Sequence, residues 1–138
     1  MNGIATPIVA AEPATKADLL RPGRSVSVVM VVYMTGEALE QSLACVLADP
    51  LVDELVVVDN GSAADQGERL RALAEQDSRV ALVSGHGNVG FSKGANLGAR
   101  TAASDCLVFL NPDAFLLPGA LESLIRFLDS HPEAAAAG

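Results

Sequence analysis

The residues of this chain that could do chemistry fall in four short stretches, Tyr33 to Gly36, Asp59 to Ser62, Gly85 to Gly90 and Asn111 to Asp113, with Lys93 and Asn96 just beyond the third. Asn111 and Asp113 are two apart and directly follow the apolar run Leu107 to Leu110. A carboxylate there, with no opposite charge beside it in the sequence, suits a divalent cation and the phosphates riding on it. Asn-Pro-Asp is equally a favoured turn in its own right, so both readings stand on this stretch alone. Lys93 and Asn96 fall in the first turns of a predicted helix. The positive end of a helix is a ready anion site, which Lys93 would reinforce; the plainer reading of Lys93 is a solvated surface lysine. Asp59 closes a second apolar run and is followed by Asn60-Gly61. It could be a turn residue or the phospho-acceptor of a signalling receiver. A receiver also wants an acidic pair after its first strand, and here that place holds Tyr33-Met34.

Gly85-His86-Gly87-Asn88-Val89-Gly90 spells G-x-G-x-x-G between a predicted strand and a predicted helix. That is the dinucleotide fingerprint, and it makes an NAD-binding domain one alternative. Two features weaken it. The fingerprint normally sits on the first strand of its unit, whereas here two strand–helix units come before it. The acid expected about 20 residues further on would be Asp105, before the next strand, or Asp113, inside the Asn-Pro-Asp turn. The phosphate-loop pattern fails, because Phe91 and not Lys follows Gly90.

These stretches need elements to hold them. Val26 to Tyr33 is nearly all apolar and β-branched, as in a strand buried on both faces. Glu37 to Leu47 has helical apolar spacing, with Thr35 as a candidate N-cap. Glu54 to Asp59 reads as the second strand. Ser62 with Asp65 resembles a capping pair for a helix to about Gln76. Val80 to Ser84 is a third strand, Phe91 to Ala103 a small-residue helix, and Cys106 to Leu110 a fourth strand. Pro118 to Asp129 is a last helix, with Pro118 in its first turn. Gly94 and Gly98, four apart, would let the third helix pack closely on the sheet. Strict alternation of strand and helix with short connections predicts an α/β parallel sheet with helices on both faces and right-handed crossovers. Every strand then ends at one edge, where such sheets bind ligands, and all four stretches collect there.

Composition narrows the partners. The chain has 138 residues, half of them hydrophobic, enough for one folded domain. A net charge of −8 argues against a nucleic-acid or anionic-membrane binder. It leaves room for a small phosphate ligand held by backbone N–H groups and a metal. Cys45 and Cys106 read as small buried residues in a reducing compartment. Residues 1–24 read as a tail or leader and 25–138 as the domain. The longest early apolar run, Val26 to Met34, is too short to span a bilayer. A cytoplasmic protein follows, with peripheral attachment at the inner face of the membrane as the variant.

Four of the sequence motifs, taken together and in order, resemble the family 2 glycosyltransferases, in their rhamnosyltransferase-like subgroup. They are Ser27 to Tyr33, Val56 to Ser62, Asn88 to Gly98 and Phe109 to Ala114. The resemblance implies the nucleotide-binding half of a Rossmann-like GT-A fold and a UDP-, dTDP- or GDP-linked sugar donor. It also implies a divalent metal, Mn²⁺ or Mg²⁺, and inverting transfer to a glycan or lipid-linked acceptor in cell-surface polysaccharide or glycan synthesis. By position, Tyr33 and Asp59 would line the base and ribose pocket, and Asn60 is counted with the residues that bind the nucleotide sugar. Asn88, Gly90, Lys93 and Asn96 would shape the nucleotide-facing loop and helix start. Asn111 and Asp113 take the places of the two acids of the family's DxD motif, with Asp113 on the metal and Asn111 toward the ribose. Two departures stand out. Met34 replaces the family's usual Asn, and no residue matches the general base of the later half. The expectation is therefore a donor-binding half cut short at its C-terminal end, inactive alone, with apolar surface prone to self-association. A non-catalytic nucleotide-binding remnant of the fold is the alternative.

Overall fold

The computed structural model describes residues 24–138; the expected tail or leader lies, Arg24 apart, outside them. The elements run β1 (Val26–Val32), α1 (Ala38–Ala48), β2 (Glu54–Asp59), α2 (Ala64–Gln76), β3 (Val80–Val83), α3 (Phe91–Thr101), β4 (Cys106–Phe109) and α4 (Ala120–Ser130). All strand pairs are parallel and the sheet order is β3-β2-β1-β4. The predicted α/β architecture is what the structure shows.

Each strand is a run of apolar residues because both faces of the sheet are covered. The residues of β1 alternate between two cores. Val26, Val28, Met30 and Val32 meet Leu39, Leu43 and Val46 of α1, Leu70 of α2, and Leu121 and Ile125 of α4. Val29 and Val31 face the other way with Val56 and Val58, against Ala95 of α3. Three helices therefore cover one face and α3 alone covers the other. Beyond the reach of α3, Leu107 and Phe109 of β4 remain exposed on that face. Cys45 and Cys106 are unpaired and only partly buried.

Helix starts differ from the sequence expectations, each for a local reason. Thr35 does not cap α1. Its backbone carbonyl and Oγ1 instead accept hydrogen bonds from Gln66 Nε2, at 2.9 and 3.0 Å. Ser62 and Asp65 do not form a capping pair either: Ala63 is the N-cap residue of α2, without a side-chain cap, and Asp65 pairs with Arg69. Asp59, at the end of β2, takes the amides of Gly61 and Ser62 instead. Pro118 lies in the turn before α4, because Gly119 adopts φ +78°, a left-handed conformation open to glycine, and the helix begins only at Ala120.

Candidate active site

The strand order sets where a ligand can enter. β1 to β3 are laid down in one direction, and α3 then returns across the sheet to place β4 on the far side of β1. That reversal between β1 and β4 is the switch point at which open α/β sheets form a crevice. The register deepens it. β4 ends at Phe109, opposite Val29, leaving Met30, Val31 and Val32 of β1 without a β4 neighbour. Beyond β4 the chain turns through Asn111, with the Ala114 amide bonded to the Asn111 carbonyl at 3.0 Å. The result is a cleft of about 270 Å³ on the α3 face, lined by Val31, Tyr33, Asn60, Asn88, Gly90, Phe91 and Pro112.

Two asparagines build its floor. Asn60 is only 3% exposed. Its backbone amide bonds Val32 O at 2.8 Å, its Nδ2 donates to Asn88 Oδ1 at 3.1 Å and its Oδ1 accepts from the Val89 amide at 3.0 Å. Asn88 Oδ1 also takes the Gly90 amide at 2.9 Å. The end of β1 and the loops after β2 and β3 are thereby held in one platform. Gly90 closes it with φ +82°, which an L side chain rarely adopts. Tyr33 stands over Gly61, where an added Cβ would lie 3.6 Å from the ring.

Met34 has φ +45°. Left-handed backbone costs about 1–2 kcal/mol for most residues and less for Asn. Met34, in the place of the family's Asn, therefore carries backbone strain as well as lacking a polar side chain. Its neighbours hold it there, Tyr33 against Gly61 and Thr35 through Gln66.

Of the residues singled out by sequence, Tyr33, Asn60, Asn88 and Gly90 meet in the cleft. Asp59, Lys93, Asn96, Asn111 and Asp113 stand on the same sheet edge but outside its lining. Lys93, Asn96, Asn111 and Asp113 are solvent-exposed. The Asp59 carboxylate turns toward α2, where a Cβ on Gly67 would come within 3.6 Å of its Oδ2. Val31, Phe91 and Pro112 were not singled out. Phe91 had one available signal, an aromatic at the first position of a helix that begins on the ligand-binding edge.

Burial pushes the Asp59 carboxyl up, but the Ser62 and Gly61 amides and the Arg71 charge outweigh it and hold the group below the usual aspartate value. With the folded value below the unfolded one of about 3.9, its stabilising contribution is complete above that pH. It is lost as pH falls through the lower folded value. Asp77 acts in the same direction through its Arg79 bonds. Urea-unfolding free energy is thus expected to drop below about pH 4. Asp59→Asn keeps the acceptor oxygen but removes the titration, so its decline should be shallower. Equal declines would show that Asp59 does not contribute.

No group of three or more His, Cys, Asp or Glu able to hold a metal occurs among the described residues. Asp113 fits a mode in which one carboxylate shares a hard cation with ligand phosphates.

An open parallel sheet with helices on both faces and a cleft at the β1/β4 switch point defines a doubly wound α/β domain. The chain belongs to glycosyl transferase family 2, whose family model matches residues 27–138. It is 30% identical over 104 residues to an uncharacterized glycosyltransferase of Haemophilus influenzae, covering 75% of this chain and 42% of that protein. It is 27% identical to the glycosyltransferase GlyG of Streptococcus pneumoniae, covering 73% and 34%. The chain thus spans less than half the length of these relatives. In fold it is similar to S. aureus TarS residues 1–349, with TM-score 0.66 at 20% identity over 78% of this chain and 33% of that one. It is also similar to a mannosyltransferase of Pyrobaculum calidifontis solved with GDP-Man and Mn²⁺, with TM-score 0.67 at 23% identity over 75% and 32%. The GT-A likeness expected from the motifs is present. The G-x-G-x-x-G loop follows β3, the edge strand, not the first strand of the sheet as in the dinucleotide fingerprint. None of Gly85, Gly87 and Gly90 has a neighbour within 4 Å of an added Cβ. Their positive φ values, not close packing, account for them.

Among the described residues, no helix is long and apolar enough to cross a membrane.

Proposed function

We propose that this chain is the donor-binding part of a family 2 glycosyltransferase, and that its β1/β4 cleft receives a nucleoside-diphosphate sugar. The observation that carries this reading is the convergence of Tyr33, Asn60, Asn88 and Gly90 on one cleft at the switch point. Asp113 and Asn111 follow β4 beside it, and Lys93 stands in the first turn of α3. The GDP-Man and Mn²⁺ of the archaeal mannosyltransferase support a nucleotide-sugar donor with a divalent cation. Here Asp113 would hold such a cation against the diphosphate. When bound, the cation supplies neutralisation of charge on the departing nucleoside diphosphate. The amino end of α3, with Lys93 and Asn96, would attract the same diphosphate, and Asn111 would face the ribose.

Transfer itself would be inverting and would need a general base to take the proton of the acceptor hydroxyl. No carboxylate lines the cleft, so we assign that base to no residue described here. The acceptor would be a growing glycan or lipid-linked sugar in surface polysaccharide synthesis, and the donated sugar a hexose or a deoxyhexose such as rhamnose.

Calorimetric titration with UDP, dTDP, GDP and NAD, each with and without Mn²⁺, tests this. Metal-dependent binding of a nucleoside diphosphate is the expected result. Binding of NAD alone, or of nothing by the folded chain, would overturn it.

A further inference from the structure

Resting on the reading of Asp113 above, we propose that Ser42 is a positioning residue of the site. From inside α1 its hydroxyl holds the turn that carries Asp113 where a cation can bridge it to the diphosphate. Ser42 lies on the core face of α1 with Leu39, Leu43 and Val46, and is fully buried. A hydroxyl in that apolar layer is costly unless it is hydrogen-bonded. A helix offers such a group a partner of its own, the carbonyl four residues back. Thr101, Ser123 and Ser130 take that partner, donating to the carbonyls of Leu97, Gly119 and Arg126 at 3.0, 2.8 and 3.0 Å. Ser42 instead donates to the carbonyl of Ala114, 72 residues away in sequence, at 2.6 Å.

What it reaches gives the bond its consequence. Residues 110–119 lie between β4 and α4 and belong to neither. The Ala114 amide closes the turn 111–114 onto the Asn111 carbonyl. The Ala114 carbonyl then hangs that turn on α1. Among the described residues this is the hydrogen bond that ties the turn to another element; beyond it, Leu116 packs on the core. The Asp113 carboxylate is exposed, so its direction is set by the backbone beneath it rather than by packing. Pro112, in the same turn, forms part of the cleft wall. α1 covers the face of the sheet opposite the cleft. Ser42 therefore acts from behind the site, with no surface of its own to offer a ligand.

Ser42→Ala keeps a good helix former and leaves Leu39, Leu43 and Val46 in place, so the chain is expected to fold. Two measurements read the tie: calorimetric titration of UDP, dTDP and GDP with and without Mn²⁺, and amide hydrogen exchange. In Ser42→Ala the affinity gained on adding Mn²⁺ is expected to shrink about tenfold. Exchange is expected to quicken in residues 110–119 and to stay unchanged in α1 itself. Ser42→Cys fills nearly the same space with a weak S–H donor, and is expected to follow Ser42→Ala. An undiminished Mn²⁺ gain in Ser42→Ala, or unchanged exchange in 110–119, overturns the role. Original behaviour in Ser42→Cys also overturns it, because the contact would then be one of packing. These failures appear only in the variants, with the nucleotide reading intact. Failure of the unaltered chain to bind any diphosphate overturns both.

Discussion

Gly98→Ala is expected to destabilise the fold by about 2 kcal/mol or more, although the same change in an exposed helix is stabilising. In an exposed helix interior, replacing Gly by Ala gains roughly 1 kcal/mol. At Gly98 the new methyl would lie 2.3 Å from Val29 Cγ1 and 3.1 Å from Val58 Cγ2. Val29 and Val58 are 1% and 0% exposed. A β-branched side chain is held near one χ1 rotamer, and in a filled core neither valine has an empty well to turn into. The helix must lift from the sheet instead. Overpacking of this kind costs about 1–3 kcal/mol and occasionally more, enough to reverse the propensity gain. Against a total stability of about 5–15 kcal/mol, the loss is easily seen in urea unfolding. Gly94→Ala should cost less, since its methyl meets Val31 Cγ1 at 2.9 Å. The cause can be isolated: Val29→Ala added to Gly98→Ala should recover part of the loss beyond additivity. A Gly98→Ala protein as stable as the original would show that α3 does not sit this close. Lifting α3 would also draw Gly90 and Phe91 out of the cleft, so nucleotide affinity should fall with stability.

That close approach was legible in the sequence, as the four-residue spacing of Gly94 and Gly98. So were the strands, because unbroken valine runs such as Val56-Val57-Val58 have no exposed face to alternate with. The collection of Tyr33, Asp59, Asn88 and Asp113 on one edge followed from strand and helix order alone. What escaped depended on side-chain direction. Asp59 precedes Asn60 by one residue, yet only Asn60 lines the cleft, while the Asp59 carboxylate lies toward Gly67. Phe91 reads only as the start of a small-residue helix, and its place on the cleft wall depends on where that helix begins against the sheet. The start of α4 escaped for a backbone reason: the sequence places Pro118 at a permitted helical position, and the left-handed turn at Gly119 takes precedence.

Asp113→Ala is expected to remove the Mn²⁺-dependent part of nucleoside-diphosphate binding, weakening it on the order of a hundredfold, while leaving the fold intact. The two halves of this expectation have separate causes. The fold should survive because Asp113 is exposed and the turn around it is closed by backbone, through the Ala114 amide and the Asn111 carbonyl. Binding should suffer because a hard divalent cation needs oxygen ligands. Among the described residues no second cluster of acids stands ready to replace the lost one. A cation bridging Asp113 and the diphosphate would offset charge repulsion as well, since a chain of net charge −8 otherwise repels a polyanion. Loss at Asp113 should fall on the diphosphate and vanish when Mn²⁺ is withheld. Asp113→Asn keeps the size of the side chain and removes the charge, so it should resemble Asp113→Ala if charge is what binds. Equal Mn²⁺ dependence in the original protein and in Asp113→Ala would remove Asp113 as the ligand. The cation would then have to be held by the diphosphate or by other protein oxygens.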